Sequence, residues 1–76
     1  MDKRDELLKK FGKYLTTLRE ERAFSVQKLA SATGLTSHTL HRIEAGEVDI
    51  LFSTVIRLSK ALNITPGELL QSLDPD

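Results

Sequence analysis

The chain has 76 residues, lacks cysteine, and balances eleven basic side chains against eleven acidic ones for a formal net charge of zero. That length predicts one domain over residues 1–76, small enough to bury only roughly 60% of its unfolded surface, with neither disulfides nor thiolate metal sites. No apolar run approaches the roughly 20 residues that span a bilayer, and "MDKRDELLKK" is too charged for a signal peptide, so a cytoplasmic protein with no membrane contact is expected. The zero net charge argues against a non-specific nucleic-acid coat, though not against a sequence reader, for which local charge decides.

Apolar residues recur at helical spacing, and no stretch alternates for long enough to suggest a sheet. A long first helix is predicted from about Lys3 to Arg22, with Leu7, Leu8, Phe11, Leu15 and Leu18 turned inward. The charge run "DKRDELLKK" supplies its solvated face. Ser25 caps a second helix over about 26–33, in which Val26, Leu29, Ala30 and Thr33 share a face and which Gly34 stops. Thr36 caps a third over about 37–45, with Leu40 and Ile43 inward and Gly46 at its end. A fourth begins between Asp49 and Ser53, either of which can cap it, and carries the stripe Leu51, Val55, Leu58 and Leu62, widened by Phe52, Ile56 and Ala61. The fifth has the clearest start. In "TPGE", Thr65 is the N-cap, Pro66 follows, and Glu68 completes a capping box ahead of Leu69, Leu70 and Leu73, with "DPD" closing the chain. The fold class expected is all-α, with five helices.

Only Gly34, Leu35 and Thr36 separate the second and third helices, which forces a steep crossing. Ala30 offers the small contact residue that such a crossing needs, and Leu35 a plug for the turn. With Leu40 and Ile43 inward, Ser37, His38, His41 and Arg42 face out. All four are hydrogen-bonding groups able to reach base edges, and Arg42 can pair with guanine O6 and N7, worth about 1–3 kcal/mol of discrimination. Four polar residues on a helix face are in themselves ordinary solvation; the tight helix pair is what favours a reading role.

The run "SVQKLASATGLTSHTLHRIEAG" resembles the helix-turn-helix of the phage-repressor and Cro (XRE) family of bacterial regulators. The matching positions are Leu29, Ala30, Gly34, Leu35, Leu40, Ile43, Glu44 and Gly46, with further likeness in "LREER" and "TVIRLSKALNITPGELL". The resemblance covers about Phe11 to Leu70. It implies a five-helix, lambda-repressor-like DNA-binding domain whose third helix is the recognition helix, with Ser37, His38 and Arg42 facing bases and His41 beside them. It also implies a pairing of Arg19 with Glu44 that ties the first helix to the base of the third.

Two departures from the family pattern bear on DNA binding. The phosphate-anchoring glutamine is replaced by Val26, with Gln27 next to it, and the loop "GEVDIL" carries Glu47 and Asp49 where basic residues are common. Backbone N–H groups at helix N-termini, with Gln27, Lys28, Thr36 and Thr39, are the expected weaker phosphate contacts, and Lys28 and Arg19 the nearby basic groups. His38 and His41 lie i, i+3 on one face, but a zinc site is disfavoured because the resemblance turns Glu44 towards Arg19. The pair could instead make DNA affinity depend on pH. No glycine-rich phosphate loop, HExxH or nucleophile–base–carboxylate set is present, so no enzyme activity and no cofactor are expected. Surplus apolar residues (Phe52, Ile56, Leu69, Leu70, Leu73) form either ordinary core or a two-fold interface. The expectation is a DNA-binding transcriptional regulator acting as a repressor, a homodimer on an inverted-repeat operator. The alternative is an antitoxin-like or regulatory module that keeps the fold and binds a protein partner.

Overall fold

The computed structural model describes residues 2–73. The closing "DPD", residues 74–76, lies outside them. Among the described residues five α-helices run in order as α1 (Lys3–Glu21), α2 (Val26–Thr33), α3 (Ser37–Glu44), α4 (Phe52–Ala61) and α5 (Pro66–Leu70), followed by a 3-10 turn, Gln71–Leu73. Side-chain caps decide where four of them start. The Asp2 carboxylate accepts from the Asp5 N–H, and the hydroxyls of Ser25, Thr36 and Thr65 accept from the N–H groups of Lys28, Thr39 and Glu68. At α5 the Glu68 carboxylate returns a bond to the Thr65 N–H at 3.0 Å, closing a capping box.

Every helix contributes to one core. Leu15, Leu29, Leu40, Leu58, Leu62 and Leu69 are fully buried, each worth about 1.5–3 kcal/mol of transfer free energy. Phe11, Leu18, Ala30, Ile43 and Val55 complete the cluster, and Leu35, in the turn between α2 and α3, packs against it. Two buried polar residues on α4, Thr54 and Ser59, share its inner face; the Ser59 hydroxyl donates to the Ile56 carbonyl at 2.7 Å and so is not left unmade.

Three sequence expectations need correction. Leu7 is 38% exposed and Leu8 only half-buried, because the first turns of α1 overhang the core. Neither Asp49 nor Ser53 caps α4: the cap is Leu51, without a side-chain hydrogen bond, because Asp49 is engaged by Arg4. As the cap, Leu51 leaves the helix stripe, and with Phe52 beside it stands in solvent, the two being 72% and 74% exposed.

Candidate nucleic-acid interface

Helix α3 is eight residues long, too short to hold its own direction, so its neighbours must aim it. Three contacts do so. Leu40 and Ile43 sink into the core from one side. At the far end, α1 passes backbone against backbone: a Cβ on Gly12 would lie 2.3 Å from the Glu44 carbonyl oxygen and 2.7 Å from that of Ile43. Only glycine permits that approach. Finally, the Arg19 guanidinium forks onto Glu44, Nε to Oε2 at 2.8 Å and Nη2 to Oε1 at 3.3 Å, while its Nη1 donates to the Phe24 carbonyl at 2.8 Å. The two side chains are only 12% and 9% exposed, so water screens this pair little.

On the opposite side of α3, His38, His41 and Arg42 are exposed. Their i, i+3 and i, i+4 spacing puts them on one face. Ser37 opens the helix and is half-buried, on the same strip as His41. At the N-terminus the Thr36 hydroxyl accepts the Thr39 N–H at 3.1 Å and donates to the Thr39 hydroxyl at 2.9 Å, which leaves Thr39 its own O–H to donate. Gln27 and Lys28 are exposed in the first turn of α2, and Val26 is its first residue, half-buried against the core. No acidic residue occupies the first turn of either α2 or α3, so both helix N-termini keep unopposed positive ends.

Acidic groups enter from the following loop. Asp49 meets Arg4 of α1, whose guanidinium holds the Asp49 carboxyl below the usual carboxylate range, chiefly through their hydrogen bonds. Glu47 stands 3.8 Å from Arg42 Nε. Among the described residues no cluster of three or more His, Cys, Asp or Glu could hold a metal ion. No described helix is long and apolar enough to cross a membrane.

One residue that shapes the site, Gly12, escapes the sequence reading, as do two relations of residues it names: the approach of Glu47 to Arg42 and the close seating of Gly46, where a Cβ would lie 2.8 Å from the Lys9 Cα. A glycine inside an otherwise strong helical run costs about 1 kcal/mol against alanine, which was the available signal for Gly12.

A family model for the Cro/C1-type HTH DNA-binding domain matches residues 14–74. No curated protein matches the chain in sequence. Among solved structures, the restriction-modification controller protein C.AhdI from Aeromonas hydrophila is 34% identical, with a TM-score of 0.80 over 82% of this chain and 94% of that one. The clp gene regulator ClgR from Corynebacterium glutamicum shares the fold at 20% identity and TM-score 0.83, over 87% of this chain and 70% of its own. A transcriptional regulator of the HTH_3 family from Vibrio cholerae shares it at 24% identity and TM-score 0.83, over 95% of this chain and 40% of its own. On the matched span and the similarity to the Aeromonas controller, the chain belongs to the Cro/C1-type helix-turn-helix DNA-binding family.

Proposed function

We propose that the chain is a sequence-specific transcriptional regulator, acting as a repressor, that lays α3 in the major groove of an operator. Arg42 reads guanine through O6 and N7, with Ser37, His38 and His41 addressing neighbouring positions. Thr39, Thr36, Gln27, Lys28 and the N-termini of α2 and α3 hold phosphates and set the register. The carrying observation is the division of α3 into a buried side, Leu40 and Ile43, and an exposed side of His38, His41 and Arg42. Similarity to the restriction-modification controller protein from Aeromonas, 34% identical, supports a controlling role. The chemistry requires no cofactor.

The active species is a homodimer on an inverted repeat, its two α3 helices about one DNA turn, roughly 34 Å, apart. Leu51 and Phe52, adjacent and both largely exposed, are the apolar anchor available for that contact. Selection of bound duplex from a random pool tests the whole reading. A symmetric consensus with guanine in each half-site, lost as a preference in Arg42→Ala, is the expected result. Absence of any enriched sequence, or an unchanged consensus in Arg42→Ala, overturns it.

The same exposed pair, beside the acidic Glu47 and Asp49, favours a second reading in which the chain binds a protein partner instead. Gel shift against genomic fragments at low and moderate salt separates the two. Few basic groups line the interface, so the logarithm of the association constant should fall shallowly with log salt; a slope steeper than about −8 for a dimer contradicts this charge distribution.

A further inference from the structure

Four helices end in one backbone motif. Two successive N–H groups donate back to carbonyls five and three residues earlier, across a residue with positive φ: Ala23, Gly34, Gly46 and Asn63. The residue that closes the motif normally makes an apolar contact with the last turn of its helix. Phe24, Leu35 and Ile64 hold that place after α1, α2 and α4, each apolar and half-buried against the core. After α3 the closing residue is Glu47, exposed, and the carbonyl it bonds, at 3.0 Å, belongs to Arg42. The side chains follow the backbone: Glu47 Oε1 lies 3.8 Å from Arg42 Nε, an ion pair too long for a hydrogen bond. Nor can the turn drift, because Gly46 has φ 72° and its Cα seats directly on Lys9 of α1.

From this we infer that Glu47 is a built-in competitor for Arg42, a carboxylate on a fixed turn that keeps the guanidinium until a base edge with two acceptors displaces it. The inference rests on the reading that Arg42 faces bases. At a guanine, Arg42 must leave Glu47 to form its paired bonds; at a base lacking those acceptors it stays where it is and nothing is exchanged. Glu47 therefore lowers operator affinity through Arg42, and lowers it most where guanine is present. Simple repulsion between Glu47 and DNA phosphates would act on every duplex and independently of Arg42.

A double-mutant cycle distinguishes these. Kd is measured at fixed moderate salt for the parent, Glu47→Gln, Arg42→Ala and the double variant, on the selected operator and on one with its guanine replaced. Glu47→Gln should tighten operator binding about two- to fivefold per half-site, the worth of an exposed ion pair. That gain should shrink towards none in the Arg42→Ala background and on the altered operator. An equal gain in all four settings overturns the inference in favour of plain repulsion. Weaker binding by Glu47→Gln overturns it too, since Glu47 would then be holding Arg42 in its productive pose. In the DNA-free protein the Arg42 Nε–H resonance should move on Glu47→Gln, and an unmoved signal removes the pairing itself. A parent that selects no duplex, or Arg42→Ala binding as tightly as the parent, overturns the base-facing role of Arg42 first and the competition with it.

Discussion

Replacing Arg19 with methionine isolates what the tie between α1 and α3 contributes. The guanidinium makes two bonds to Glu44 and a third to the Phe24 carbonyl. Arg19→Met removes all three and leaves a carboxylate only 9% exposed without a counter-charge. Breaking a buried pair from one side costs about 3–5 kcal/mol; allowing for the water that still reaches this edge, about 2–4 kcal/mol is expected. A chain of this length has only roughly 4–11 kcal/mol to lose, so the variant should fold but melt far earlier. Arg19→Met with Glu44→Met removes the stranded charge and should recover all but about 1 kcal/mol, the remainder being the unbonded Phe24 carbonyl. Urea unfolding at neutral pH, followed by circular dichroism, gives each value provided the m-value is unchanged. A loss below about 0.5 kcal/mol in the single variant, the range of an exposed pair, would falsify the claim that this tie is shielded from solvent.

The other predictions concern packing, backbone strain and pH. Gly12→Ala should destabilise by about 1–2 kcal/mol net, since the added Cβ would meet the backbone carbonyls of Glu44 and Ile43 and the overpacking cost, at the upper part of its range or about 2–3 kcal/mol, outweighs the roughly 1 kcal/mol that alanine gains in a helix. It should also weaken operator binding by shifting α3, and an unchanged melting curve contradicts the backbone contact. Ala23 sits at φ 57°, so Ala23→Gly should stabilise by about 0.5–1 kcal/mol and raise Tm by a few degrees; a lower Tm rules out the strain. Asp49 has a depressed folded-state pKa, so the stability it contributes is present above its unfolded value near 4 and is lost as pH falls through the folded value. The stability difference between the parent and Asp49→Asn should therefore begin to shrink at about pH 4 and vanish only once the pH lies below the depressed folded value; a difference that persists in strong acid shows that Asp49 acts by something other than its charge.

Element boundaries were legible wherever a local rule set them. Ser25, Thr36 and Thr65 announce helices because a side-chain oxygen three residues before an orphan N–H is a short-range relation. Asp49 obeys the same rule and does not cap, because Arg4, 45 residues earlier in the chain, takes its carboxylate. Leu51 fails for a related reason: with the helix starting one residue later, its apolar side chain has no place in the stripe. The exposed face of α3 follows from the spacing of Leu40 and Ile43, both local. What aims that face does not. Gly12 is explained only by the carbonyls of Ile43 and Glu44 across the fold, and the pairing of Glu47 with Arg42 depends on how the turn at Gly46 closes.

The placement of α3 thus depends mostly on atoms outside the residues proposed to read bases. Backbone carbonyls against Gly12, the fork from Arg19 and the seat of Gly46 on Lys9 all grip its C-terminal end. Its N-terminal half is held by the Thr36 cap, by Leu35 in a turn that closes on the Ala30 carbonyl, and by the fully buried Leu40. Arg42, two residues from Glu44, is therefore held in a fixed position relative to α1. Substitutions that loosen the C-terminal grip should degrade the contact made by Arg42 first, because its guanidinium needs two acceptors aligned at once. A single hydrogen bond from Ser37 or His38 tolerates more tilt. On the proposed reading, the position met by Arg42 should accordingly be the strictest in each half-site, and those met by Ser37 and His38 more permissive.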